Sequence, residues 1–377
     1  MNLKEKLFPE NRLSLDRFWN FSRGGIVNFR TGLRDAVSGV EQTRSRMMDY
    51  DQLLVWAVLS LMLIGLVMVY SASITLADGP KYANYSSNYF LIRHFISLVI
   101  AITVGIWAFK IPTKVWDRYS PVIFGITVVL LILVLIPGIG KGVNGARRWI
   151  PLGLMNFQPS ELMKFTAVIF AASYTVQRQE YLHSFSKGML PMGIAVALVG
   201  GLLMKEPDMG AFVVVALIAF GILFLGGINA KLFGGLIVVG LLSGAAMIAL
   251  SPFRRGRMLA FMDPWQVENA ANKGYQLTHS LMAFGRGEWF GTGLGGSVEK
   301  LHYLPEAHTD FIMAVIGEEL GFVGVVVMIF LFYWIVRRAF MIGRTALQLD
   351  RSFAGLAAKG VAIWIGWQAF INMGVNL

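Results

Sequence analysis

Five ionisable residues crowd one short stretch, Tyr303–Gly321, with the sequence YLPEAHTDFIMAVIGEELG. Glu306, His308 and Asp310 stand just before an apolar run, and Glu318 and Glu319 lie inside it. A carboxylate at the mouth of such a run can act as a general base if a substrate hydroxyl comes within hydrogen-bond reach. Carboxylates inside an apolar span are costly and mark ion pairs, proton relays or binding sites. At about 100° per residue, Ala314, Gly317 and Gly321 fall on the same side of a helix as Asp310. Asp310 is therefore expected to head a stripe of small residues that admits another helix or a ligand. Glu318 falls at the edge of that stripe, towards the same outward-facing cavity. Glu319 falls opposite, where a partner on another helix is expected. The plainer alternative is that these acids only cap the helix and form structural pairs.

Three further clusters carry polar chemistry. In Asn156–Lys164, NFQPSELMK, Pro159-Ser160 signals a helix start. Glu161 and Lys164 then share one helix face, either as a local ion pair or as a polar lining of the Asp310 cavity. Just upstream, Arg147, Arg148 and Trp149 offer two guanidiniums suited to phosphate oxygens, or simply an interfacial anchor. In Glu206-Pro207-Asp208-Met209-Gly210, Asp208 either caps the next helix or adds a third acidic point to the cavity. The run Gly291–Gly296, GTGLGG, matches a dinucleotide fingerprint in letters only; no strand or βαβ unit precedes it, so it reads as a turn-forming loop. His308 with Glu306 and Asp310 offers ligands for a divalent cation, but one His with scattered acids is a weak metal signal. No other cofactor is expected. The chain has no cysteine, which excludes thiol catalysis, disulfides and Cys-ligated metals.

The elements that must position these residues are membrane helices. The 377 residues are 56% hydrophobic and only 15% charged. A soluble domain would carry about a quarter charged residues, so the class is an all-α polytopic membrane protein. Nine spans of bilayer-matching length are expected, at 53–72, 89–110, 120–137, 161–177, 188–204, 207–226, 230–250, 310–336 and 353–376. Residues 1–50 form a basic tail, in which Phe18 and Trp19 beside Arg17 and Arg23 would suit an interfacial helix. Basic residues in the short loops favour the tail side as cytoplasmic. The net charge of +11 therefore reflects topology rather than nucleic-acid binding. Residues 251–309 then form a large extracytoplasmic loop between spans 7 and 8. It is too long to be a plain connector, and its segment Gln276–Phe284 suits a short helix. After nine spans the chain stops at Leu377 without a polar flank, as if cut within a larger membrane domain.

Two function classes fit these residues. One is an enzyme acting on an anionic lipid-linked substrate at the outer leaflet. The other is an ion-coupled transporter or flippase whose acids relay protons.

The stretch around PEAHTD, the upstream SLMAFGRGEWFGTGLGGSVEKLHYLPEAHTD, the GARRWIPLGLMNFQPSELMK segment and EPDMG together resemble the SEDS family (shape, elongation, division and sporulation). They do so in order, across about residues 51–377. The PEAHTD wording and the basic tail resemble the division branch more than the elongation branch. The resemblance implies a peptidoglycan glycosyltransferase that polymerises lipid II at the outer face of the bacterial cytoplasmic membrane, at the division septum. It implies a partner, the class B penicillin-binding protein FtsI, among other division proteins. It also implies a tenth span, beyond Leu377. The family's essential acid falls on Asp310, as general base towards a GlcNAc 4-hydroxyl. Lys164, and after it Arg147 or Arg148, would stabilise the pyrophosphate leaving group, alone or with a divalent cation, and Glu161 would position Lys164. Glu318 and Asp208 complete the expected substrate-binding set. Lipid II flippase and division-complex scaffold are the alternatives.

Overall fold

The computed structural model describes residues 50–78, 86–143, 145–153 and 156–377. The chain divides into Met1–Val55 and a compact unit, Trp56–Leu377, which holds everything discussed below. The tail stretch containing Phe18 and Trp19 lies outside the described residues.

Helices occupy all nine apolar stretches. They are α1 (Gln52–Ser73), α2 (Tyr89–Lys110), α3 (Thr113–Leu135), α4 (Pro159–Gln177), α5 (Leu190–Lys205), α6 (Met209–Leu225), α7 (Ala230–Ala249), and, after three shorter helices, α11 (Ile312–Gln348) and α12 (Ser352–Asn376). Among the described residues seven helices are long and apolar enough to cross a membrane. The other two stretches are α4, which is enclosed by protein and carries polar residues, and α6, which has 17 residues. On α2 and α7 no residue is buried, although both are rich in Ile, Val and Leu. Such all-round apolar exposure is stable only in a hydrocarbon solvent.

Helix α3 starts seven residues before the expected 120 and carries Pro121 inside it. Proline cannot donate to the carbonyl four residues back. That carbonyl, of Asp117, instead accepts from the hydroxyls of Ser120 (2.9 Å) and Ser173 of α4 (3.3 Å). The lost ladder bond thus becomes a link between helices.

The expected all-α class needs one amendment. The link from α3 to α4 folds into a small antiparallel sheet, ordered β1 (Lys141–Val143), β2 (Ala146–Pro151), β3 (Asn156–Phe157). The stretch 251–309 is likewise structured, with α8 (Pro252–Met262), α9 (Val267–Ala270) and α10 (Tyr275–Gly287).

Two apolar cores support the site. The larger joins Met163, Val168 and Ala171 of α4, Val199 and Leu203 of α5, Ile218 and Ile222 of α6, and Leu356 of α12. The smaller joins Met68 and Ala72 of α1, Ala283 of α10, Leu304, Ala307 and Phe311 of the PEAHTD segment, and the first turns of α11. The segment bearing Asp310 is therefore pinned from beneath at three apolar positions. Burying Leu304 or Phe311 stabilises the fold by about 1.5–3 kcal/mol each, and the smaller Ala307 by less.

Candidate active site

Asp310 lies in the turn that precedes α11, not on the helix. Helical phase therefore does not fix the direction of Asp310 relative to Ala314 and Gly317. Its side chain is exposed, while its backbone carbonyl accepts a 2.8 Å bond from the Asn376 side-chain amide. The same Asn376 accepts from the Ala314 amide at 3.2 Å, and its own carbonyl accepts from the Ser280 hydroxyl at 2.6 Å. One residue of α12 therefore fixes the Asp310 turn, α11 and α10 together. Within the turn, the Glu306 carbonyl accepts from the amides of Thr309 (3.1 Å) and Phe311 (3.2 Å). The Thr309 hydroxyl lies 3.0 Å from the Glu306 carboxylate. Partial burial, and then the neighbouring Glu306 charge, push the Asp310 carboxyl above the usual aspartate range; Arg148 and His308 pull it part of the way back. Asp310 is thus a stronger base than a free aspartate, and it feels the charge of Arg148.

Arg148 comes from β2. Its guanidinium donates to the backbone carbonyls of Glu206 (3.0 Å) and Pro207. Arg147, next to it, is exposed. Asp208 caps α6 by accepting from the Ala211 amide at 3.2 Å. It also accepts from the Ser160 hydroxyl (2.9 Å) and the Gln158 amide (3.2 Å) at the start of α4. Asp208 is therefore a joint between two helix starts.

Lys164 is enclosed, at 4% exposure, with its ammonium 2.7 Å from Glu161 and 3.0 Å from the Gln368 side-chain oxygen. The Glu161 carboxylate of this pair is half exposed. Gln368 and Asn376 both belong to α12, eight residues apart. At about 1.5 Å per residue, Lys164 therefore sits roughly 12 Å along the helix from the Asp310 turn.

Glu318 does not face an open cavity, contrary to its expected place beside Asp310. It is completely buried and accepts from the Ser297 hydroxyl (2.5 Å) and the amides of Val298 (2.9 Å) and Glu299 (3.3 Å), with Arg286 at 3.8 Å. A carboxylate so saturated by donors holds the loop rather than a ligand. Glu319, also buried, pairs with Lys300 (2.6 Å) and accepts from Ser71 of α1 (2.7 Å).

The physical cause is a break in α11. Gly321 has φ 68° and ψ −166°, a conformation that side chains disfavour. The break opens the ladder bonds that would run from Phe322 and Val323 back to Glu318 and Glu319. The segment 288–293 takes up all four freed groups. Thr292 and Gly293 donate to the carbonyls of Glu318 (2.9 Å) and Glu319 (3.1 Å). Phe322 and Val323 donate to the carbonyls of Glu288 (2.9 Å) and Trp289 (3.2 Å). The glycine-rich run is thus an insert in a helix ladder. The small-residue stripe is occupied as well: a Cβ on Gly317 would strike the Phe284 ring of α10.

Among the described residues, no three His, Asp or Glu side chains are grouped so as to hold a metal ion. The anchors Lys300, Gln368 and Asn376 were not singled out from sequence, since each looks like an ordinary loop or span residue until its partner is known.

A family model described as cell cycle protein, the FtsW/RodA/SpoVE family, matches residues 52–377. The chain belongs to this family. The protein of Polynucleobacter necessarius subsp. necessarius named probable peptidoglycan glycosyltransferase FtsW is 93% identical over the whole chain and 89% of that relative. The protein of the same name from Burkholderia thailandensis is 64% identical, over 92% of this chain and 75% of its own. A solved structure described as a peptidoglycan synthase complex that coordinates polymerisation and crosslinking is similar at a TM-score of 0.68 and 26% identity, over 88% of each chain. Thermus thermophilus RodA shares the fold, with a TM-score of 0.59, 24% identity, and 86% of this chain and 85% of that one covered. With seven long apolar helices among its described residues, this family member is a multi-pass membrane protein.

Proposed function

We propose that this chain is a peptidoglycan glycosyltransferase that joins lipid II units into glycan strands, with Asp310 as general base. The observation that carries the mechanism is an exposed aspartate, held by its backbone, whose carboxyl is raised above the usual range beside a fixed arginine. The enzyme class is that of the FtsW relatives, at 93% and 64% identity.

In this reading Asp310 accepts the proton of a GlcNAc 4-hydroxyl. The oxygen attacks the anomeric carbon of the growing strand as the bond to undecaprenyl pyrophosphate breaks. The electron pair leaves with the pyrophosphate, and one displacement turns an α-linked donor into a β-linked product. Arg148, with exposed Arg147 beside it, takes first place as the cation that stabilises the leaving group, ahead of the enclosed Lys164. Lys164, Glu161 and Asp208 then hold the starts of α4 and α6 in register. Nine spans, a cytoplasmic tail over 1–50, a membrane domain over 51–377 and an outer-face location for 251–309 follow from the same reading. So do action at the septum and a class B penicillin-binding protein as cross-linking partner.

The test is glycan-strand formation from purified lipid II by the chain with its partner. Loss of polymer in Asp310→Asn, with the protein folded, supports the mechanism. Full activity in that variant overturns it. Loss of lipid II translocation in liposomes, with polymerisation intact, would favour a flippase; neither loss would favour a scaffold.

A further inference from the structure

Glu206 closes α5 and is completely buried. Neither of its carboxyl oxygens has a hydrogen-bond partner among the described residues. Such a group is unstable as an anion, because a buried carboxylate needs donors or a counter-charge. A cation is close by, yet its bonds go elsewhere: the Arg148 guanidinium donates to the backbone carbonyls of Glu206 and Pro207. The ionisable groups that act on Glu206 are Asp208, in its own turn, and Arg148, from β2. Lys164 and Glu161, on neighbouring α4, are committed to each other.

We propose that Glu206 is a positioning residue that works as a neutral carboxylic acid, leaving the Arg148 charge free to act on Asp310 and on an anionic leaving group. Burial first, and then the Asp208 charge, raise its pKa to about 8 against the pull of Arg148. If Glu206 ionised, its carboxylate would compete for the guanidinium. Arg148 would swing from the two carbonyls towards it, and its field at Asp310 would weaken. The consequence for turnover rests on the glycosyltransferase reading above; the protonation state does not.

Two measurements on the full chain in proteoliposomes with its partner test this. The first is the polymerisation rate against pH. At pH 9, about one unit above the Glu206 value, roughly nine-tenths of the carboxyl is ionised, so the wild-type rate falls from its plateau by up to about tenfold. Glu206→Gln, neutral at every pH, keeps the neutral-pH rate and loses this alkaline fall. An unchanged fall in Glu206→Gln, or a loss of activity at pH 7, overturns the proposal. The second is infrared titration of the protonated-carboxyl stretch, which needs no turnover. A band present at pH 7, absent in Glu206→Gln and lost as pH passes about 8 supports the assignment. No such band at pH 7 overturns it. If the band behaves as expected but wild type makes no polymer, the glycosyltransferase reading fails and the neutral Glu206 stands.

Discussion

The side-chain amide of Asn376 donates to the backbone carbonyl of Asp310 at 2.8 Å. Its side-chain oxygen accepts from the Ala314 amide, in the first turn of α11. The position of the Asp310 turn is therefore set by the far end of α12. Asn376→Ala should take from the part-buried Asp310 carbonyl its side-chain donor, at about 1–3 kcal/mol, while the Ala314 amide keeps its bond to the Phe311 carbonyl. Polymerisation should fall by more than the melting temperature suggests, since small displacements of a positioned base are expensive in rate. Thermal unfolding and rate measured on one preparation separate the two effects.

Asp310→Asn removes the base and keeps the shape. A drop of about 10²- to 10⁴-fold in polymerisation is expected, with little change in thermal stability because the side chain is exposed. The raised Asp310 pKa shifts the acid limb of the wild-type rate profile upward from that of an ordinary aspartate. Activity is gained as pH rises through it.

Lys300→Met leaves the Glu319 carboxylate buried without its counter-charge. Breaking such a pair from one side costs about 3–5 kcal/mol. The double variant Lys300→Met with Glu319→Gln should recover a large part of it. A double-mutant cycle on denaturation midpoints reads the coupling.

Glu206→Gln should also change stability with pH, and the sign is fixed. The folded-state pKa, about 8, lies above the ordinary glutamate value of 4.5, so the native state holds the extra proton between them. Wild-type stability therefore falls as pH rises from about 4.5 to about 8. The Gln variant lacks this slope. Its melting temperature should match wild type at pH 4 and exceed it at pH 8.

Gly317→Val would drive a branched side chain into the Phe284 ring. Overpacking of this kind costs about 1–3 kcal/mol. Hydrogen exchange should then quicken in α10 while α4 and α6, in the other core, stay protected.

Much of this site was legible because its signals are local. Asp310 stands out as a carboxylate at the mouth of an apolar run, and the Glu161–Lys164 pair follows from helical spacing. The capping role of Asp208 was weighed from its place before α6. What escaped depends on partners distant in sequence. Nothing in GEELG distinguishes a broken helix from an unbroken one, because the missing bonds are supplied by the distant segment 288–293. Reading the helix as continuous put Glu318 in a cavity when the loop had already claimed it. Glu206 was visible as an acid, but its isolation arises only once Arg148 settles on two carbonyls. Of the strands in the α3–α4 link, β1 and β3 are too short to show a period of two, and the ARRWIP of β2 does not alternate.

The insert at Gly321 makes the bend in α11 a weld rather than a joint. Straightening the helix would break four bonds to segment 288–293 at once, together with the Glu318 and Glu319 clamps on 297–300. The first turns of α11, which follow the Asp310 turn, are therefore carried on a rigid frame. A frame of this kind keeps its shape under load: a ligand pressing on the Asp310 turn would not flex α11 at Gly321. Adding or deleting one residue between Glu288 and Gly293 would throw these four bonds out of register without touching any residue of the candidate site.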